Sequence, residues 1–215
     1  MIWPDEAETR NLLHRVEHQE DGATDDLWAR HREGLRKAIS QRLDPALARR
    51  VDASDVVQDV LIRANQRLPE YLKNQALPFH LWLRQIARDH VIDQHRKHRV
   101  AARRSLDREV SLRNPSYDDR SSLDLAANLR DPAPTPAAEA LRVELGRRFE
   151  AAIARLDDDD REVIVLRHFE QLSNSDAAKV LGLSEPAAGM RHLRALRKLR
   201  VILGESPSLT GKEAS

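Results

Sequence analysis

The chain has 215 residues, room for one or two domains, with 40% hydrophobic and 33% charged residues and a net charge of only +1. It has no cysteine, which excludes disulfides, thiolate zinc sites and a cysteine nucleophile. No apolar run approaches the roughly 20 residues that span a bilayer and MIWPDEAETR is no leader peptide, so the expectation is a cytoplasmic protein with no membrane insertion.

Charge is unevenly spread. Residues 1–26 hold eight acids and two bases, a balance of −6, so the remaining 189 carry +7. Local patches therefore matter more than the mean. Seven glycines and 4% aromatics are few for a β-rich chain, and the abundant Ala, Leu, Arg and Glu favour helices.

Residues 1–24 read as an acidic N-terminal extension to which the sequence assigns no function. Leu27–Leu43 is expected to be a helix closed by the Asp44-Pro45 turn signal. Between Asp52 and Leu68, Val56, Val57, Val60, Leu61, Ala64 and Leu68 recur every three or four residues, one stripe of an amphipathic helix; Pro69 is expected to end it. Phe79, Trp82, Leu83, Ile86, Ala87 and Val91 form a second stripe, on which Trp82 reads as core rather than as a stacking platform. Residues 25–105 are thus one helical domain. Residues 106–139 contain Asn114-Pro115-Ser116 and Asp131-Pro132-Ala133-Pro134-Thr135-Pro136 and read as a linker, with room for a short helix near Leu123–Leu129. Residues 140–204 are helical again, and 205–215 look like a disordered tail.

In the second helical block, a helix from about Asp158 to Phe169 turns Val163, Ile164 and Leu166 inward. The Asp157–Asp160 run reads as a solvated N-terminus favoured by the helix dipole. Ser173 is a good N-cap with Asp176 three residues on, and Gly182 is the expected C-cap. Ser184 then caps a further helix with Pro186 in its first turn. A short helix, a glycine turn and a longer helix make a helix-turn-helix. At 100° per residue, Ala187, Arg191, Arg194 and Lys198 share one face, with Leu193, Leu196, Leu199 and Leu203 as the docking seam. Residues 186–200 hold five bases and no acid, which suits DNA phosphates or the major groove.

DASDVVQDVLIRA (52–64) and FHLWLRQIARDHVIDQHRKHR (79–99) resemble the second domain of bacterial sigma factors of the extracytoplasmic-function group. The helix-turn-helix at Leu156–Arg200 is similar to their fourth domain. The resemblance implies an all-α chain: a domain 2 helical bundle and a domain 4 helix-turn-helix joined by a flexible linker. It implies a non-enzymatic subunit that binds core RNA polymerase and directs promoter-specific transcription initiation. Core polymerase would contact Asp55, Gln58, Asp59 and Arg63. The basic segment Arg84–Arg104, with seven bases against Asp89 and Asp93, would follow the −10 element through Arg84, Arg88, His95, Arg96, Lys97 and Arg99. The loop Pro69–Pro78 would capture an unstacked base with Tyr71, Lys73, Asn74 or Gln75, because such a pocket needs edge hydrogen bonds and a stacking surface. The −35 element would meet Ser184, Glu185, Ala187, Arg191, Arg194 and Lys198. Pro186, Ala187 and Ala188 offer few base-edge donors, so readout would lean on Glu185, Arg191 and DNA shape. An anti-sigma factor or another regulator is the further partner implied.

No cofactor and no metal are expected. His14-Arg15-Val16-Glu17-His18 fits a two-histidine zinc pattern, but nine histidines in 215 residues make a chance match common and no third ligand is evident. A hydrolase built on His14 and His18 is the rival from another class. The main rival is a free-standing helix-turn-helix regulator, which would bind a palindromic operator unaided.

Overall fold

The computed structural model describes residues 3–43, 51–106 and 136–204, with side chains described for 3–43, 51–98 and 141–204. The Asp44-Pro45 turn, the candidate Leu123–Leu129 helix and the tail lie outside the described residues. Within them all regular structure is helical.

α1 (Glu6–Glu17) starts at Asp5, whose carboxylate accepts from the amides of Ala7 and Glu8 at 3.1 and 3.3 Å, an N-cap that satisfies two otherwise orphaned donors. Its Leu12 and Leu13 are buried. The acidic N-terminal segment is therefore packed into the first domain's core rather than standing outside it. Its charges are displayed on the opposite face of the helix. Gly22, at φ 74°, makes the turn into α2. α2 (Ala23–Ser40) buries Leu27, His31, Leu35, Ala38 and Ile39 along one stripe.

α3 (Ala53–Lys73) is capped by Asp52, whose carboxylate accepts from the Ser54 amide at 2.8 Å. Pro69 lies inside this helix and does not end it. The proline falls near the last turn on an exposed face, so water can satisfy the Asn65 carbonyl that its missing N–H leaves free. The true connection to the next helix is Asn74–Pro78, half the length expected. α4 (Phe79–Leu106) runs for 28 residues. Its Phe79, Leu83, Ile86, Ala87 and Val91 pack on α2 and α3, and Trp28, Tyr71, Phe79 and Trp82 form an aromatic cluster with centroids 4.6 to 6.0 Å apart.

The second domain packs α5 (Pro136–Ala154), α6 (Asp158–Ile164), α7 (Asn174–Leu181) and α8 (Glu185–Gly204). Asp157 caps α6 through the Asp160 amide at 2.9 Å. α6 then widens into a π turn over Val165–Phe169, with the Glu170 amide donating to the Val165 carbonyl at 3.0 Å. Ser173 caps α7 through the Asp176 amide at 3.0 Å, and Gly182, at φ 65°, closes it. Ala152, Ile153, Leu156, Val163, Ile164, Ala195 and Leu199 form this domain's core.

Leu193 is half exposed and stands outside the docking seam. The buried line on α8 is Ala188, Ala195 and Leu199, and Leu193 points about 140° away from it. The two domains touch. Leu81 of α4 is buried among Leu166, Ala177 and Val180.

Candidate polymerase and nucleic-acid interfaces

The exposed side of α3 carries Asp55, Gln58 and Asp59, all solvent-exposed, with Arg63 half-buried at its edge. Arg63 sits 3.6 Å from Asp93 of α4, and Asp59 lies 3.7 Å from Nε2 of His90. Burial first, then the nearby Arg63 charge, lowers the His90 pKa. Beside this face, α2 and α3 form a shallow groove lined by Trp28, Arg32, Gln58, Leu61, Ile62 and Asn65. Ile62 is 50% exposed, and the Trp28 indole donates to Asn65 at 3.3 Å. An apolar strip bordered by amides and charges is suited to docking another protein's helices. Ile62 and Trp28 escape sequence reasoning because each falls at a helical position that also suits a core.

Tyr71, expected to face an unstacked base, is core. It is 6% exposed, packs on Phe79 and Trp82, and donates to the Leu77 carbonyl at 2.9 Å. Burial pushes its hydroxyl pKa up to about 12, with the Glu6 charge adding to it. The continuation of α3 past Pro69 swings Tyr71 inward, which leaves Lys73, Asn74 and Gln75 as the exposed polar groups of this corner.

On α4, Arg96 and Lys97 are exposed, and the Arg99 side chain lies outside the described residues. Arg84, Arg88 and His95 are not on an open face in this structure. Arg84 is 4% exposed, ion-paired with Glu170 and stacked 4.4 Å over the Trp3 ring. Arg88 donates to the Val180 carbonyl at 2.7 Å. The His95 ring nitrogen Nε2 lies 3.2 Å from the Arg42 carbonyl. Arg84 and Arg88 meet the second domain, while His95 packs against the Arg42 backbone within the first, which spacing along one helix does not reveal.

At the start of α8, Ser184, just before the helix, and Glu185 are exposed and Ala187 is half-buried. Arg194 is exposed and forms no ion pair within the described residues, whereas Arg191 sits 3.3 Å from Asp159. Lys198 bridges Asp157 at 2.7 Å and Asp160 at 2.5 Å. The hydrogen bonds to Asp157 and Asp160 raise the Lys198 pKa. The Asp157–Asp160 run is thus no merely solvated helix start: it neutralises two of the four residues assigned to the basic face. His168 and His192 meet at 2.8 Å between their Nε2 atoms, fastening the π turn to α8.

His14 and His18 stack with centroids 4.1 Å apart, and His18 Nδ1 lies 2.8 Å from the His14 carbonyl. Among the described residues no three metal-ligating side chains converge, and no helix is long and apolar enough to cross a membrane.

Residues 27–100 match Sigma-70 region 2 and residues 146–199 match Sigma-70, region 4. The chain is 36% identical over 157 residues to the probable RNA polymerase sigma factor RfaY of Xanthomonas campestris pv. campestris, an overlap of 72% of this chain and 35% of that protein; it spans about a third of that relative's length. It is 34% identical over 153 residues to the RNA polymerase sigma factor CnrH of Cupriavidus metallidurans, covering 71% of this chain and 73% of CnrH. Its fold is similar to that of CnrH solved in complex with the cytosolic domain of CnrY, with a TM-score of 0.55 and 26% identity over 94% of this chain and 100% of that one. A region 2 bundle and a region 4 helix-turn-helix in this order place the chain in the sigma-70 family of RNA polymerase sigma factors, in its extracytoplasmic-function group.

Proposed function

We propose that this chain recruits core RNA polymerase to promoters through three surfaces. The α3 face of Asp55, Gln58, Asp59 and Arg63, with the Trp28–Ile62 groove beside it, docks the polymerase. Lys73, Asn74, Arg96 and Lys97, with Arg84 and Arg88 once the domains separate, hold the −10 element. Ser184, Glu185, Arg191 and Arg194 enter the major groove at the −35 element. Lys198 is a tie between α8 and α6 rather than a principal DNA contact.

The observation that carries this reading is the open N-terminal end of α8. Ser184 and Glu185 are exposed there, and Arg194, free of acidic partners within the described residues, stands one face along. A recognition helix reads base edges with that end, while neighbouring cations fix register on phosphates. The near-zero net charge fits a subunit whose partner supplies much of the DNA affinity. The similarity to CnrH, solved with the cytosolic domain of CnrY, supports a regulatory protein partner of the anti-sigma kind.

The test is co-elution with purified core polymerase, followed by selection of genomic fragments on the mixture. The proposal requires stable co-elution and fragments retained only when both components are present. Tight retention of palindromic fragments by this chain alone would instead establish a free-standing regulator.

A further inference from the structure

Glu170 lies against the part of α4 that the proposed function assigns to promoter DNA. Its side chain is 3% exposed and is shared by two guanidiniums, Arg42 at 2.6 Å and Arg84. Burial opposes its charge, but Arg42 and Arg84 together hold its carboxyl below the usual carboxylate range. Glu162, 6% exposed at its side chain, adds a second carboxylate 2.7 Å from Arg42. Arg88 caps the carboxyl end of α7 through the Val180 carbonyl, a group with no partner inside its own helix. Three arginines of the first domain therefore meet three acceptors of the second.

The π turn makes this possible. Glu162 and Leu166 lie one helical turn apart on one side of α6. The wider winding over Val165–Phe169 brings Glu170 back to that same side. Trp3, carried by the N-terminal segment, stacks on Arg84 and is itself 8% exposed, so the acidic extension helps aim the guanidinium.

We propose that this cluster is an autoinhibitory clasp, in which Glu170 takes the place of a promoter phosphate on Arg84 and keeps the helix-turn-helix domain folded over α4. This inference rests on the reading of α4 as the −10 DNA-binding helix. The chemistry suits a latch that opens. A carboxylate and a phosphate offer guanidinium the same fork of acceptor oxygens, so DNA can replace Glu170 group for group. Buried ion pairs return little net stability because desolvation offsets their attraction. The apolar part of the contact is small, Leu81 against Leu166, Ala177 and Val180. Charge thus decides whether the clasp stays shut.

The chain's lack of cysteine permits a clean test on the full-length protein. Spin labels at Glu70→Cys and Ala151→Cys, both exposed, report the distance between the domains, with and without Glu170→Gln. A narrow short distribution that broadens to longer distances in Glu170→Gln is expected. A wild-type distribution already broad, or one unchanged by Glu170→Gln at an unaltered melting temperature, overturns the clasp. Arg42→Gln, which breaks the same cluster from the other side, must open the chain in the same way. Opening is also expected to tighten binding of a single-stranded −10 oligonucleotide about tenfold, the gain for a closed fraction of about nine in ten. An opened chain with no gain overturns the inhibitory role. The α4 reading fails separately, if Arg96→Ala and Lys97→Ala leave oligonucleotide affinity untouched while the distances still respond to Glu170→Gln.

Discussion

Arg191 of α8 reaches back to Asp159 at the start of α6, 3.3 Å away. The helix proposed to enter the major groove is thus balanced against acids of its own domain. With Asp159 64% exposed and Arg191 25% exposed at their side chains, the pair stabilises the fold little and its worth is below about 1 kcal/mol. Its larger effect is on which anion Arg191 faces. Asp159→Asn is expected to tighten binding to a −35 duplex by roughly two- to fivefold, the range set by such exposed pairs, whereas Arg191→Ala and Arg194→Ala weaken it. Fluorescence anisotropy at two salt concentrations measures both. Lys198→Ala should weaken DNA binding less than Arg194→Ala does.

His31 makes the first domain acid-sensitive. It is fully buried, with Nε2 3.2 Å from the Thr9 hydroxyl. Burial, reinforced by Arg30 and His80, lowers its pKa from 6.5 to about 4. Above pH 6.5 the ring is neutral folded or unfolded, and it costs nothing. As pH falls from 6.5 towards 4, the unfolded chain takes up the proton first, so stability declines, by on the order of 3 kcal/mol across the window. His80 and His90, each also lowered first by burial, act in the same direction. Thermal melts of His31→Gln between pH 7 and pH 4.5 should show a flatter decline than wild type; parallel curves would contradict this assignment.

Asp55 and Gln58 are exposed, so Asp55→Ala and Gln58→Ala should leave the melting temperature unchanged. Each is expected to weaken the affinity for core polymerase by about two- to fivefold, up to roughly the 1 kcal/mol that most interface residues do not exceed on truncation. Ile62→Ser tests the groove beside them and should weaken binding at least as much. Equilibrium titration of labelled chain with core polymerase reads all three.

Tyr71 separates packing from base capture. Tyr71→Phe loses the hydrogen bond to the Leu77 carbonyl and should cost about 1 kcal/mol. Tyr71→Ala opens a cavity in the aromatic cluster and should cost about 3 kcal/mol. If the hydroxyl and ring serve only the core, Tyr71→Phe leaves −10 oligonucleotide affinity unchanged while Lys73→Ala and Asn74→Ala reduce it. Denaturant melts and the binding assay together check this.

The elements most legible in the sequence are those set by local chemistry. Ser173, Gly182 and Ser184 mark the helix-turn-helix because caps and a left-handed glycine act within a few residues. The stripe Val56–Leu68 marks α3 for the same reason. Pro69 misleads because a breaker is harmless when its freed carbonyl is hydrated near a helix end. Arg84 misleads because seven bases on one segment announce affinity for anions but not which anion; a carboxylate 86 residues away supplies it. The acids at 157–160 announce a helix start but not the bases of α8 that turn towards them. The π turn that aims Glu170 leaves no mark in the residue pattern, since VLRHF has the same apolar spacing as an α-helix.

The central claim, that this chain directs polymerase to promoters, is tested most directly by run-off transcription on fragmented genomic DNA. Purified core polymerase from the source organism is assayed with and without the chain. The account predicts discrete new transcripts that require both components, stronger with Glu170→Gln and weaker with Arg194→Ala. Transcripts unchanged by adding the chain, under conditions where it binds core polymerase, would contradict it.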